Sequence, residues 1–212
     1  MAHVLIVVSR RYNPGEFLGS IKVLKQRGHT FDIVSSSLVI TSEVKHTPNK
    51  LSRVIDEVQS MDGYDGLIII SGNPSDTEIY WNHPVCQKLV VEANAQGLII
   101  AAVCSAVPAI RRAAKGKTVS VYPLLKSIAL LEDAGAIISK TSLSTDGNVV
   151  TAENEQMNSM WMTNVCDVLE GKPPTYVLHE SPFKRKLPKR PTDPDVQRLI
   201  DVAERTGKHG LE

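Results

Sequence analysis

The sequence predicts an α/β fold, a three-layer sandwich in which helices cover both faces of a mostly parallel central sheet, and three of its patterns carry that prediction. Four near-continuous apolar runs rich in Val and Ile, at 3 to 9, 30 to 36, 66 to 71 and 97 to 104, are apolar on both faces, as strands in the middle of a covered parallel sheet must be. Between them, segments such as 16 to 28 and 83 to 97 repeat apolar residues at three- and four-residue steps, the spacing of an amphipathic helix. Gly28, Gly97, Gly135 and Gly171 each follow such a pattern, where a left-handed residue closes the last helical turn.

Taken in order, the run HVLIVVS is the first strand. Its five apolar residues have no basic region before them and no small-residue cleavage site after them, so a signal peptide is not expected. After the fourth strand a helix is expected from Ala106 to Ala114, then a strand at 118 to 122, a helix from Pro123 and a strand at 136 to 140. Asp146-Gly147 marks a hairpin turn before a strand at 149 to 153, and a helix from Gln156 to Glu170 closes the core. That gives an α/β domain over residues 1 to 172. Residues 173 to 192 read as a Pro-rich basic arm: the stretch from Lys172 to Pro194 holds six of the twelve prolines, with Lys184, Arg185, Lys186, Lys189 and Arg190 clustered in it. Asp193 and Pro194 then start a terminal helix to Gly207, and 208 to 212 is expected to be disordered or a cloning remnant.

Length and composition bound the function. With 212 residues, 42% of them apolar, the chain can bury a sizeable core, and 24 basic against 23 acidic side chains leave a charge of +1. Nothing in that balance draws a nucleic acid or a membrane surface. The basic arm has no aromatic interleaving beyond Phe183, so nucleic acid is not an expected partner. No stretch approaches the roughly 20 apolar residues that span a bilayer. Three widely spaced cysteines without a CxxC pair suit free thiols in a reducing, cytoplasmic compartment, and no metal or other cofactor is expected.

Ligands of an open parallel sheet bind beyond the carboxyl ends of its strands. There the segment AAVCSAVPAI (101 to 110) runs an apolar strand into Cys104, with small residues on both sides, the pattern of a nucleophile elbow. Amides of the following helix would face the sulfur and favour a thiolate. The alternative is a small buried hydrophobe, the reading preferred for Cys86 and Cys166, each inside an amphipathic helix. His83, before Pro84, follows the SGN turn (71 to 73) closely enough to line the same mouth, or simply caps its helix. Tyr80 and Trp81 either wall that mouth or sit at a subunit contact.

The opening strand, the loop NPGE with Glu16, the turn SGN, the elbow AAVCSA and the segments YPLLK and DGNVVTAE, in that order, resemble the ThiJ/PfpI superfamily. That group includes intracellular proteases, glyoxalase-type and deglycase-like enzymes and the parkinsonism-associated redox protein. The resemblance covers about residues 3 to 172 and implies a flavodoxin-like, class I glutamine amidotransferase-like fold, with homodimers common. It matches Cys104 to the reactive cysteine and Glu16 to the acidic residue beside it. Gly72 and Asn73 stand where consecutive glycine amides, with that of Ser105, form an oxyanion hole; only Gly72 is kept. Ser105 and Tyr122 stand where hydrolase-like members often carry histidines.

A thiol with no imidazole lacks the usual base, so peptidase activity is not expected. Besides a binding or structural protein that has kept the fold and lost the chemistry, two classes of function stay open. In one, Cys104 adds to a small reactive carbonyl or acyl compound while Glu16 transfers protons. In the other, the protein is a non-catalytic redox sensor or chaperone-like protein that uses oxidation of Cys104.

Overall fold

The computed structural model describes residues 1–46 and 48–179. Along them run β1 (His3–Val8), β2 (Arg11–Tyr12), α1 (Pro14–Gln26), β3 (Thr30–Val34), β4 (Val39–Ser42), β5 (Pro48–Lys50), β6 (Gly66–Ile70), α2 (Pro74–Thr77), α3 (Ile79–Asn82) and α4 (Pro84–Ala95). Then come β7 (Ile99–Val103), β8 (Thr118–Val119), α5 (Leu125–Asp133), β9 (Ile137–Ile138), β10 (Leu143–Asp146), β11 (Val149–Ala152) and α6 (Asn158–Leu169). Short 3₁₀ helices occupy Ile55–Glu57 and Glu155–Met157, and a long one runs over Cys104–Ala113.

The four apolar runs become adjacent parallel strands. The main sheet has the order β10-β11-β7-β6-β1-β3, and only β10 runs antiparallel to its neighbour. Side chains alternate between faces with period two. Val4, Ile6, Val8, Ile68, Ile70 and Val103 pack on one side with Phe17 and Leu24 of α1 and Trp161, Met162 and Val165 of α6. Leu5, Val7, Leu67, Ile69 and Ala102 pack on the other with Leu89 and Val90 of α4, Ala109 of the long 3₁₀ helix and Leu131 of α5. The predicted three-layer α/β sandwich is therefore the fold, and the four helix-closing glycines all take the left-handed conformation.

Three expectations change. The helix expected over 106 to 114 is the 3₁₀ helix Cys104–Ala113, with Pro108 inside it. Proline has no N–H, so the Ser105 carbonyl loses the donor that i-to-i+3 pairing would supply. The Trp81 indole Nε1–H donates to that oxygen instead, at 2.8 Å. The strands expected at 118 to 122 and 136 to 140 shrink to β8 and β9, which pair in parallel with each other outside the main sheet. Side chains occupy the place beside them: Thr118 N donates to Asp146 Oδ2 and Ser120 N to Thr151 Oγ1, both at 2.8 Å. Last, β2, β4 and β5 form a small sheet that the pattern missed, because each is short and little of it is apolar.

The chain after α6 runs without helix or strand to His179, its Thr175 and Tyr176 amides donating to Asp167 and Asn164 side chains of α6. The rest of the expected arm, the terminal helix at 193 to 207 and residues 208 to 212 lie outside the described residues. Among the described residues, no helix is long and apolar enough to cross a membrane.

Trp161 is fully buried against the sheet and its Nε1–H donates to the Val150 carbonyl at 3.0 Å. Trp161→Ala is expected to lower stability by about 3–5 kcal/mol, read as a lower urea midpoint with little change in slope. A loss under about 1 kcal/mol would show that α6 does not seal this face of the core.

Candidate active site

The sheet brings its candidate residues together at the carboxyl ends of β1, β6 and β7. Val103 ends β7 in extended conformation (φ −130°), and Cys104 follows at φ +57°. A left-handed backbone strains a residue with a Cβ, and it turns the side chain sharply off the strand, as an elbow requires. Ala106, Val107 and Ala109 beneath it are fully buried. The Ser105 carbonyl is held by Trp81, whose own carbonyl accepts from Arg111 Nη1. Tyr80, also fully buried, donates its hydroxyl to the Val8 carbonyl at 2.9 Å and accepts from the Ser36 amide at 2.8 Å. These aromatics brace the elbow and the end of β1 from inside.

Glu16 comes from α1. Asn13 caps that helix by accepting from the Glu16 amide at 3.0 Å, and Pro14 sets the first turn, which places Glu16 over the ends of β6 and β7. The Glu16 side chain is 1% exposed. Its Oε2 accepts from both the Ser71 hydroxyl (2.6 Å) and the Ser71 amide (3.2 Å). Ser71 follows β6 and is itself buried. It belongs to the SGN turn, yet that turn's glycine-like backbone drew attention in sequence and its serine did not.

Burial dominates the electrostatics. It raises the Glu16 carboxyl to about 7, with the charges of Glu155 and Glu43 adding to the rise and the two Ser71 hydrogen bonds opposing it. Burial also pushes the Cys104 thiol up to about 12; the Glu16 charge adds to this, and hydrogen bonds with Ser71 and Ser105 offset only part. The expectation of a thiolate favoured by helix amides is thus corrected. The sulfur is desolvated, and its nearest charge is negative. Cys86 and Cys166, fully buried in opposite core faces, are raised to about 12 and about 11.

The remaining candidates are placed differently. Gly72 packs against β2 so closely that a Cβ there would lie 2.0 Å from the Arg11 carbonyl oxygen. Its amide donates to Thr77 Oγ1 (3.1 Å) and the Asn73 amide donates to the Arg11 carbonyl (2.8 Å), so both are engaged within the loop. Asn73 has an ordinary φ of −52°, and its side chain caps α2 and accepts from Arg11 Nη2 at 3.0 Å. Of the proposed oxyanion donors, the Ser105 amide is the one that favours the thiolate of Cys104. His83 precedes α4 and lies 3.5 Å from Asp56, its ring beside Tyr80. Tyr122 is 42% exposed in the loop before α5. Among the described residues, no group of three or more His, Cys, Asp and Glu side chains could hold a metal ion.

Comparison with known proteins agrees with this fold. A profile of the DJ-1/PfpI family matches residues 2–167. An uncharacterised protein of Methanocaldococcus jannaschii is 27% identical over 172 residues, 80% of this chain and 83% of that one. Among solved structures, the ThiJ/PfpI domain protein of Brachyspira murdochii superposes with TM-score 0.72 at 17% identity, covering 80% of this chain and 96% of its own. Drosophila melanogaster DJ-1beta gives 0.69 at 17% identity over 81% and 91%, and oxidised Toxoplasma gondii DJ-1 gives 0.69 at 18% over 81% and 92%. At these identities the structural likenesses speak for the fold alone.

The raised Glu16 carboxyl links stability to pH. Between about 4.5 and about 7 the folded chain keeps a proton that the unfolded chain has lost, so stability falls as pH rises through that window and stays lower above it. Glu16→Gln cannot ionise. Its stability relative to the wild type is expected to be on the order of 1–3 kcal/mol better at pH 8 than at pH 4, measured by urea unfolding at both. A difference independent of pH would mean that Glu16 is not desolvated.

Proposed function

The chain belongs to the DJ-1/PfpI family, and from that premise we propose that it is an enzyme-like thiol protein in which Cys104 attacks small reactive carbonyl or acyl compounds and Glu16 takes the thiol proton. The observation that carries this reading is the pairing of a left-handed elbow cysteine with a buried carboxyl that titrates near 7. A general base works best when its pKa lies near the working pH. Burial and two like charges bring Glu16 to that value, where an imidazole would otherwise be needed. The sulfur stays a thiol at rest and loses its proton as the bond to carbon forms. The Ser105 amide, beside the sulfur, steadies the oxyanion that results. Homodimers, common in this family, and a cytoplasmic location suited to three free cysteines complete the proposal.

Redox sensing through Cys104 is the second reading. It requires a thiolate open to peroxide at rest, and the desolvation that raises this thiol opposes it. Mild peroxide separates the two. Rapid mass gain at Cys104, with no turnover of any small carbonyl or ester, would favour the sensor.

Turnover of a small α-oxoaldehyde or an activated ester is expected to vanish in Cys104→Ser. In the wild type it should rise with pH through an inflection near 7, because the ionised carboxyl is the active form. Glu16→Gln should lose that inflection and roughly 10²-fold in rate. Equal turnover by wild type and Cys104→Ser would refute the assignment.

A further inference from the structure

Trp81 reaches the elbow from a different element. Residues Cys104–Ala113 form a 3₁₀ helix, in which the carbonyl of residue i accepts from the amide of residue i+3. For Ser105 that partner is Pro108, which has no N–H. Ser105 is 5% exposed, and a buried carbonyl needs a donor. The Trp81 indole Nε1–H supplies it at 2.8 Å. Trp81 comes from α3 and is itself held. Arg111, in the last turn of the same 3₁₀ helix, donates from Nη1 to the Trp81 carbonyl and from Nη2 to Asn82 Oδ1 at 2.9 Å. Gln87 Nε2 of α4 donates to the Tyr80 carbonyl (3.1 Å) and to the Ala109 carbonyl (2.7 Å), which ties the residue before Trp81 to the same helix. Lys126 Nζ stands 5.4 Å from the centre of the Trp81 ring. The indole is thus a fixed donor.

We propose that Trp81 is a positioning residue for Cys104, its indole N–H standing in for the amide that Pro108 removes; this role rests on the reading of Cys104 as nucleophile. Cys104, at φ +57°, lies between a strand fixed by two parallel neighbours and a helix whose first turn lacks a hydrogen bond of its own. Left unheld, the Ser105–Ala106 peptide can rotate and let Cys104 fall back towards negative φ, where a residue with a Cβ is more stable. That rotation moves two groups together: the Cα–Cβ bond that aims the sulfur, and the Ser105 N–H that the proposed reaction turns on the oxyanion. Trp81 opposes it by pinning the Ser105 carbonyl to α3. A backbone donor at 108 would tie the elbow only to its own helix, whereas the indole ties it to a second element that packs on that helix.

The test is turnover of p-nitrophenyl acetate, read as p-nitrophenolate release, in wild type, Cys104→Ser, Trp81→Phe, Pro108→Ala and the double variant carrying both Trp81→Phe and Pro108→Ala, with thermal melts to establish folding. Phenylalanine keeps an aromatic ring and lacks the N–H, and alanine at 108 gives back a backbone amide at the i+3 position. Trp81→Phe is expected to lower kcat roughly 10- to 100-fold with KM within about twofold, since a misaimed nucleophile loses attack geometry more than binding. Pro108→Ala alone should stay within about threefold of the wild type, and added to Trp81→Phe it should bring kcat back to within about threefold. A tryptophan that only fills space would not be rescued by an amide in the elbow's own helix. Should Trp81→Phe not fold, Trp81→His decides, because its Nε2 falls where the indole Nε1 lies and keeps the donor with less bulk. A kcat within about threefold of the wild type then supports the hydrogen bond, and a loss of about tenfold or more overturns it. Wild-type kcat in Trp81→Phe, or a loss that Pro108→Ala leaves unchanged, overturns the positioning role while leaving Cys104 as nucleophile. If Cys104→Ser releases p-nitrophenolate as fast as the wild type, the underlying reading falls and this role with it.

Discussion

The left-handed backbone at Cys104 is the constraint on which the site depends. A residue with a Cβ does not hold φ +57° unless its surroundings over-determine it. Here one side of the turn is β7, paired in parallel with both β6 and β11, and the other is a 3₁₀ helix packed by small side chains. Pro108 leaves the Ser105 carbonyl without its helical donor, and Trp81 supplies the missing hydrogen bond from α3. The polar gap that proline opens is thus the point at which α3 is fastened to the elbow. Lys126, over the Trp81 ring and paired with Glu78, extends the same brace to α5.

Once the elbow is fixed, desolvation decides the chemistry. Cys104 and Glu16 share a buried corner in which two negative charges would repel each other without water to screen them. Ionising the carboxyl makes the thiol harder to ionise. The pair therefore carries at most one charge near neutrality, and the question is where the proton sits. That separates this site from one built around a preformed thiolate: under the proposed reading, nucleophilicity is generated during attack.

The fold was legible because its central strands are apolar on both faces and its helices end on glycines, signals that depend on near neighbours in sequence. The elbow at Cys104 was legible for the same reason: small residues flank it. The thiol's upward shift was not, since the helix-amide argument counts local dipoles and burial is set by α1 and the ends of β1 and β6. Ser71 escaped because its partner Glu16 lies 55 positions away, and no local pattern announces such a contact. The same holds for Trp81, which meets the Ser105 carbonyl across 24 positions. Gly72 was read as a source of free amides, whereas its lack of a Cβ serves the close approach of β2 and its amide is engaged by Thr77.

The acidic residues around the mouth take part in the argument beyond their charge. Glu155, on the 3₁₀ turn before α6, accepts from Asn13 Nδ2 at 2.8 Å, and Asn13 in turn caps α1 through the Glu16 amide. A Cβ on Gly15 would stand 2.4 Å from Glu155 Oε1, so that glycine is what lets the carboxylate reach the cap. The residue that helps raise Glu16 is therefore also one that positions the loop carrying it. Field and geometry are coupled at this corner. A change at Glu155 that lowered the repulsion on Glu16 would also loosen Asn13, so part of the carboxyl's electrostatics and its placement by α1 depend on the same contact.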